Sequence, residues 1–259
     1  MEKIKQELLE FVRSAGKMLN EKCGKVADIG VTKTYLTEYD LSIEREIKKI
    51  VTQDGSQFFA EEENDNFTNA PSVWVADPIS GTSRFIKGTG NYAIVVSHLR
   101  NGKVDYAAAY NPTQDKLYIA ENKTVTLNGK QINPTSNGKR IIFAIGGLSE
   151  QDGVNKTSFA RESIEKLRAE LKKDYELFEP QGSFAYNYCL VAEGLFDGVV
   201  SITKDCFPEF AGLHIANTSG VIATNVYGEK DITQKDRIFV CGHKGIHADL
   251  LNKNKMLLI

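Results

Sequence analysis

The chain has 259 residues, 41% of them hydrophobic and 25% charged, enough for one large domain or two closely packed halves with an ample core. A formal net charge of −2 gives no basic footprint, so neither a nucleic acid polymer nor an anionic membrane surface is expected as a partner. Four scattered cysteines, Cys23, Cys189, Cys206 and Cys241, form no C-x-x-C pair and read as reduced thiols in a cytoplasmic protein. Residues 1–20 carry charge throughout and lack a long apolar run, so neither a signal peptide nor a membrane span is expected there.

In chain order, Ile4, Leu8, Phe11, Ala15 and Met18-Leu19 recur at helical spacing, and Gly24 ends that amphipathic helix. A polar loop runs to about Tyr35. A second helix is predicted from near Asp40, with Ile43, Ile47 and Ile50-Val51 on one face. Apolar strands follow at 57–60 and 73–76. Then comes an antiparallel run over Tyr92–Leu99, Val104–Tyr110 and Lys116–Ala120, turning at Asn101-Gly102 and Asn111-Pro112, with a further hairpin at Asn128-Gly129.

After about residue 139 strands and helices alternate. Strands are predicted at Ile141–Ile145, Glu176–Phe178, Phe196–Ile202 and Ile238–Cys241, and helices at Phe159–Lys172, Phe184–Ala192 and Pro208–Thr218. The pattern gives an α+β half over 1–138, carrying most of the candidate ligands, and an α/β half over 139–259. No Pro/Ser-rich linker, internal repeat or low-complexity tract divides them, so the halves are expected to pack as one unit.

The chemistry concentrates in residues 74–85, Trp-Val-Ala-Asp-Pro-Ile-Ser-Gly-Thr-Ser-Arg-Phe. An apolar strand runs into Asp77, turns through Pro78 and reaches Gly81-Thr82, where a helix can begin. That geometry sets a carboxylate beside free backbone N–H groups, which suits a metal ion next to a phosphate. Asp40, Glu61, Glu62 and Asp205 also fall at element boundaries. Carboxylates at strand ends can converge on a crevice, and hard oxygen donors favour Mg²⁺ over Zn²⁺. Any one of them alone is an ordinary cap or a surface charge.

Taken together, these segments resemble the inositol monophosphatase family of Mg²⁺-dependent phosphatases. Asp77-Pro78-Ile79-Ser80-Gly81-Thr82 is similar to its D-P-[IL]-D-G-T motif, Ala60-Glu61-Glu62 to G-E-E, and Leu36-Thr37-Glu38-Tyr39-Asp40 to V-T-x-x-D. Gly182-Ser183-Phe184-Ala185, continuing through Val191-Ala192-Glu193-Gly194 to Asp197, is similar to G-[ST]-x-A…V-A-x-G…D. Asp205, with Ala211-Gly212 and Ser219-Gly220 after it, sits where W-D-x-A-A-G…A-G-G falls.

The resemblance implies a layered αβαβα sandwich of the sugar-phosphatase type, a homodimer, and hydrolysis of a small phosphate monoester. The family's substrates include inositol phosphates, sugar phosphates and 3′-phosphoadenosine 5′-phosphate. It implies that Glu61, Asp77 and the Ile79 carbonyl hold a first metal, and that Asp77 and Asp205 share a second with Ser80. Asp40 would support a third, and Glu61 with Thr82 would orient the attacking water. Gly81, Thr82, Ser83, Gly182, Ser183 and Lys204 make up the substrate-binding set.

Ser80 stands where the motif has a second Asp and removes one negative charge from the second metal site. Lys204 replaces the Trp before Asp205, and its ammonium could pair with Asp205 or point at a phosphate. Gly198–Lys204 contains no Glu, where inositol-selective members carry a sugar-binding one, so inositol phosphate ranks no higher than the other substrates. The alternative is a catalytically impaired member that binds a phosphate ligand or a partner.

Weaker signals have bland readings. His243 and His247 are spaced i, i+4 on an expected C-terminal helix and could present two ligands to Zn²⁺, but no third ligand accompanies them, so they read as a solvated helix face. Gly146-Gly147 reads as a strand-end turn near the cleft, and residues 161–173 as an exposed, charge-laced helix face. Tyr186 and Tyr188 could line a pocket or be packed in the core.

Overall fold

The computed structural model describes residues 1–31, 35–62, 70–135, 138–146, 161–203 and 206–258. Helix α1 (Glu2–Lys22) buries Ile4, Leu8, Val12, Ala15 and Leu19 along one stripe, and the chain leaves it through Gly24 at φ +73°. Helix α2 (Glu38–Val51) starts two residues before the expected position. Thr37 is its N-cap, and Thr37 and Asp40 bond reciprocally as a capping box, so Asp40 sits in the first turn.

Among the described residues the strands form two sheets. The first holds β1 (Gln57–Ala60), β2 (Ser72–Ser80), β3 (Ala93–Arg100), β4 (Lys103–Asn111), β5 (Lys116–Glu121), β6 (Thr124–Leu127) and β7 (Lys130–Gln131), side by side in that order. β1 and β2 are parallel and the rest antiparallel. Short helix α3 (Thr82–Lys87) lies between β2 and β3. The second sheet has the order β11-β12-β10-β8-β9, from β8 (Arg140–Ile145), β9 (Glu176–Phe178), β10 (Gly198–Ile202), β11 (Ile222–Asn225) and β12 (Ile238–Gly242). Helices α4 (Arg161–Leu171), α5 (Phe184–Ala192), α6 (Phe207–Thr218) and α7 (Lys244–Asn254), with a terminal 3₁₀ turn Lys255–Leu258, complete the fold.

The two-residue period of the strands assigns these elements to layers. Trp74, Ala76, Ile94, Val96, Tyr106 and Ala108 point to α1 and α2. Their alternates Val73, Val75, Ala93, Val95, Ala107 and Ala109 point to α5 and α6. In the second sheet Ile142, Ala144, Val199, Phe239 and Cys241 face the same two helices. Ile141, Phe143, Val200, Ile202, Ile238 and Val240 face α4 and α7. Both sheets are therefore covered on both faces, giving an αβαβα sandwich, and this is why their strands read as unbroken apolar runs.

The middle helices α5 and α6 are apolar nearly all round, as burial between two sheets demands. They approach closely at Gly212, where a Cβ would lie 2.4 Å from Cδ2 of Tyr188.

Three expectations are corrected here. β2 does not stop at Asp77 but continues through Pro78 to Ser80, because a register slip in its pairing with β3 accommodates the residue that has no N–H. β11 was not foreseen, since its four residues carry no clear alternation. His243 is the N-cap of α7 and lies outside its body, while His247 is buried with Nε2 2.9 Å from Thr224 Oγ1, so the two do not share a solvated helix face. Residues 159–160 of the expected fourth helix, and Gly147 of the Gly-Gly pair, lie outside the described residues.

Candidate active site

The parallel pairing of β1 with β2 organises the site. Ala60 is level with Ala76, so Glu61, the first residue after β1, and Asp77, within β2, lie at the same height on neighbouring chains. Adjacent strands lie roughly 4.8 Å apart, which brings the two carboxylates to one end of the sheet. Asp77 is 3% exposed. β2 then pairs with β3 at Asp77–Val95 and resumes at Ser80–Ala93, three residues against two, a bulge beside Pro78 that re-aims the chain. Buried Ser80 ends the strand. Gly81 follows at φ +93°, ψ 36°, a left-handed conformation, and turns directly into α3.

Thr82, the first residue of α3, faces α2. Its Oγ1 lies 2.8 Å from the Ile79 carbonyl and 3.1 Å from Asp40 Oδ1. Asp40 Oδ2 accepts from the Thr37 N–H at 2.8 Å and from Thr37 Oγ1 at 2.6 Å. Burial pushes the Asp40 carboxyl up to about 6; the Thr37 and Thr82 hydrogen bonds favour its anion, and the nearby Glu61 charge opposes it. Glu44, one turn further along α2, is also buried and accepts the Glu62 N–H at 2.9 Å. Sequence reading passed over Glu44; its i, i+4 spacing from Asp40 was the available signal.

The second half reaches the same place through α5. Ser183 is the N-cap, its Oγ accepting the Tyr186 N–H at 3.2 Å and its own N–H donating to the Asn91 carbonyl at 3.0 Å. A Cβ on Gly182 would lie 2.6 Å from that carbonyl, so only glycine fits. A Cβ on Gly81 would lie 3.7 Å from Ser183 Cβ, which sets the starts of α3 and α5 side by side. The ends of β8 and β10 close the same corner: the Gly146 N–H donates to the Ile202 carbonyl at 2.7 Å, and a Cβ there would lie 3.0 Å from Phe184 Cζ. Phe207, at the start of α6, stacks on Phe59 of β1 with centroids 4.8 Å apart.

Asp40, Glu61, Asp77, Ile79, Ser80, Gly81 and Thr82 are thus gathered along one end of the first sheet, with Ser83 half-buried on the first turn of α3 and Gly182 and Ser183 beside them. Lys204 and Asp205 lie outside the described residues, between buried Thr203 and buried Cys206. Tyr186 and Tyr188 belong to the core, Tyr186 with its hydroxyl donating to Gln114 Oε1 at 2.7 Å. The 161–173 stretch carries the expected surface ion pairs, such as Lys166–Glu162 at 2.7 Å. The four cysteines are free.

Arg84 was not singled out by sequence reading. It is half-buried on α3, Nη2 donates to the Pro180 carbonyl at 2.7 Å, and burial lowers it from the ordinary guanidinium value.

Among the described residues, no three His, Cys, Asp or Glu side chains group to hold a metal ion. The donors that are in place are all oxygen: the Glu61 carboxylate after β1, the Asp77 carboxylate within β2, the Ile79 carbonyl and the Thr82 hydroxyl. Asp40 and Glu61 lie close enough for the Glu61 charge to oppose ionisation of Asp40, so negative charge collects here. That donor set fits a hard divalent cation.

Over residues 1–256 the sequence matches the model of the inositol monophosphatase family. The chain belongs to that family. A protein of Thermotoga maritima named fructose-1,6-bisphosphatase/inositol-1-monophosphatase is 24% identical over 248 residues, covering 94% of this chain and 92% of that one. Nus factor SuhB of Vibrio cholerae is 28% identical over 183 residues, covering 68% of this chain and 65% of that one. Among solved structures, an IMPase of Thermotoga maritima superposes with a TM-score of 0.81 at 22% identity, covering 100% of this chain and 99% of that one. At that identity the likeness speaks for the fold. Among the described residues no helix is long and apolar enough to cross a membrane.

Proposed function

We propose that the chain is a Mg²⁺-dependent phosphatase that hydrolyses a small phosphate monoester, of the inositol phosphate, sugar phosphate or 3′-phosphoadenosine 5′-phosphate class. The observation that carries this reading is the placement of Glu61, directly after β1, level with Asp77 on the parallel neighbour β2, with the Thr82–Asp40 pair beside them. Glu61, Asp77 and the Ile79 carbonyl would hold one cation; Asp77, Asp205 and Ser80 would hold a second, and Asp40 would support a third. When bound, Mg²⁺ would neutralise phosphate charge and make a water more acidic.

The chain's own part is positioning and proton handling. The Thr82 hydroxyl has one proton and two acceptors, the Ile79 carbonyl and Asp40 Oδ1. With the carbonyl engaged elsewhere, the proton goes to Asp40, and the Thr82 oxygen is left to accept an O–H from the attacking water. Glu61 orients that water from the other side. Attack on phosphorus opposite the ester oxygen breaks the P–O bond; the attacking water gives up one proton and the leaving alkoxide takes one from solvent water, so that inorganic phosphate and the alcohol are the products. Gly81, Thr82 and Ser83 at the start of α3, with Gly182, Ser183 and Lys204, hold the phosphate and its substituent. A homodimer and a cytoplasmic location belong to the same proposal, and sedimentation tests the first.

A second reading has its own support. Ser80 supplies a neutral hydroxyl where the family motif has a carboxylate, and one relative bears the name of a Nus factor. On that reading the chain binds a phosphate ligand or a partner with little turnover. Assays across Mg²⁺, Mn²⁺ and several phosphomonoesters separate the two, with Asp77→Asn as control. Turnover abolished by Asp77→Asn supports the enzyme; no turnover in the native chain but activity in Ser80→Asp supports the impaired member.

A further inference from the structure

Arg84 differs from four of the chain's eight arginines. Arg13, Arg100, Arg140 and Arg168 each lean on a carboxylate, at 3.4, 2.7, 3.5 and 3.0 Å. Arg84 is half-buried, its side chain donates to one backbone carbonyl, and no carboxylate among the described residues pairs with it. A guanidinium has five N–H donors in a planar fork, and partly desolvating it without an anion is costly.

Its place in the fold is fixed from both sides. Phe85 is fully buried against Tyr39 and Tyr92, which sets the roll of α3 and turns the neighbouring Arg84 toward the 180–183 loop. Asn187 Oδ1 accepts the Gln181 N–H at 3.0 Å and steadies that loop, so the Pro180 carbonyl is a firm anchor. The side chain therefore reaches from α3, one residue after Gly81–Ser83, to the carbonyl two residues before Gly182–Ser183, the two segments proposed to bind substrate. Three residues of helix separate it from Gly81, roughly 4.5 Å of rise.

We infer that Arg84 receives a second anionic group of the substrate, so that the preferred substrate carries two acidic groups: the phosphate that is hydrolysed and another held by the guanidinium. This rests on the phosphatase reading above. The fork of donors suits a phosphate, sulfate or carboxylate equally in shape.

Three six-carbon probes test it: mannitol 1-phosphate, mannitol 1,6-bisphosphate and 6-phosphogluconate, assayed with Mg²⁺ on the native chain, Arg84→Gln and Arg84→Lys. The native chain is expected to favour at least one doubly acidic probe over mannitol 1-phosphate by about tenfold or more in kcat/KM, chiefly through KM. The favoured probe tells phosphate from carboxylate. Arg84→Gln should close that gap to about twofold, and Arg84→Lys should keep part of it, because it retains the charge but not the fork. Circular dichroism and sedimentation of each variant report folding and assembly. Equal kcat/KM for all three probes in the native chain overturns the role of Arg84 and leaves the phosphatase reading standing. So does an equal loss on every probe in Arg84→Gln, or a change of oligomeric state in place of a change of selectivity. No hydrolysis of any probe, or of simple aryl phosphates, removes both.

Discussion

Replacing Asp40 by asparagine should stabilise the metal-free protein while removing its activity. Asp40 is fully buried, and its carboxyl is raised from the ordinary value of 3.8 to about 6. A carboxyl whose folded value lies above its unfolded value gives stability that is present at low pH and lost as pH rises through the folded value. The two-unit rise is equivalent to about 3 kcal/mol at pH 8, at 1.36 kcal/mol per unit. The substituted amide would keep the local bonds. Its oxygen can accept both Thr37 donors, and its nitrogen can donate to Thr82, whose proton then goes to the Ile79 carbonyl at 2.8 Å. That reversal puts an N–H donor against the Thr82 oxygen proposed to accept the water's O–H, and turns the Thr82 proton away from position 40. Thermal melts in a chelator should place Asp40→Asn roughly 8 °C above the native chain at pH 8, taking 2–4 °C per kcal/mol for a chain of this size, with the curves converging near pH 4. A variant less stable than the native chain at pH 8, or a difference that does not change between pH 4 and 8, would refute the reasoning.

Other outcomes follow from the same geometry. Thr82→Val keeps the shape of the side chain but removes the hydroxyl, and kcat should fall by about a hundredfold with little change in KM, read by steady-state phosphate release. Gly212→Ala would set a methyl 2.4 Å from the Tyr188 ring, and urea unfolding should show a loss of about 1–3 kcal/mol from overpacking. Gly81→Ala meets only ordinary contacts at 3.6 Å or more, so its cost, about 1 kcal/mol, comes from the positive φ alone. A larger loss at Gly81 than at Gly212 would reverse the argument.

Local pattern revealed much of the architecture. The apolar stripe of residues 4–19 gives α1, and the largely apolar run 184–192, interrupted by Asn187, gives α5 with the bounds that the structure has. Where pattern is weak, tertiary pairing decided the outcome. β2 survives Pro78 because the bulge against β3 absorbs it, and β11 exists because β12 offers an edge to a segment with little strand character of its own. Of the candidate site, the residues in motifs were legible, and their neighbourhood was not. Thr82 and Asp40 meet across 42 positions, and Glu44 reaches the Glu62 N–H only because α2 crosses the end of β1. Arg84 escaped notice because a single arginine has no pattern; that no carboxylate among the described residues pairs with it is a property of the folded chain.

Crystals grown without metal and then soaked with Mn²⁺ and phosphate, with anomalous diffraction collected at the manganese edge, test the central claim most directly. The account predicts an anomalous peak about 2.1 Å from carboxylate oxygens of Glu61 and Asp77, with Asp205 ligating the same cation or a second one beside it and phosphate against the Gly81–Thr82 turn. Manganese found only elsewhere, or Glu61, Asp77 and Asp205 turned to unrelated surfaces, contradicts it.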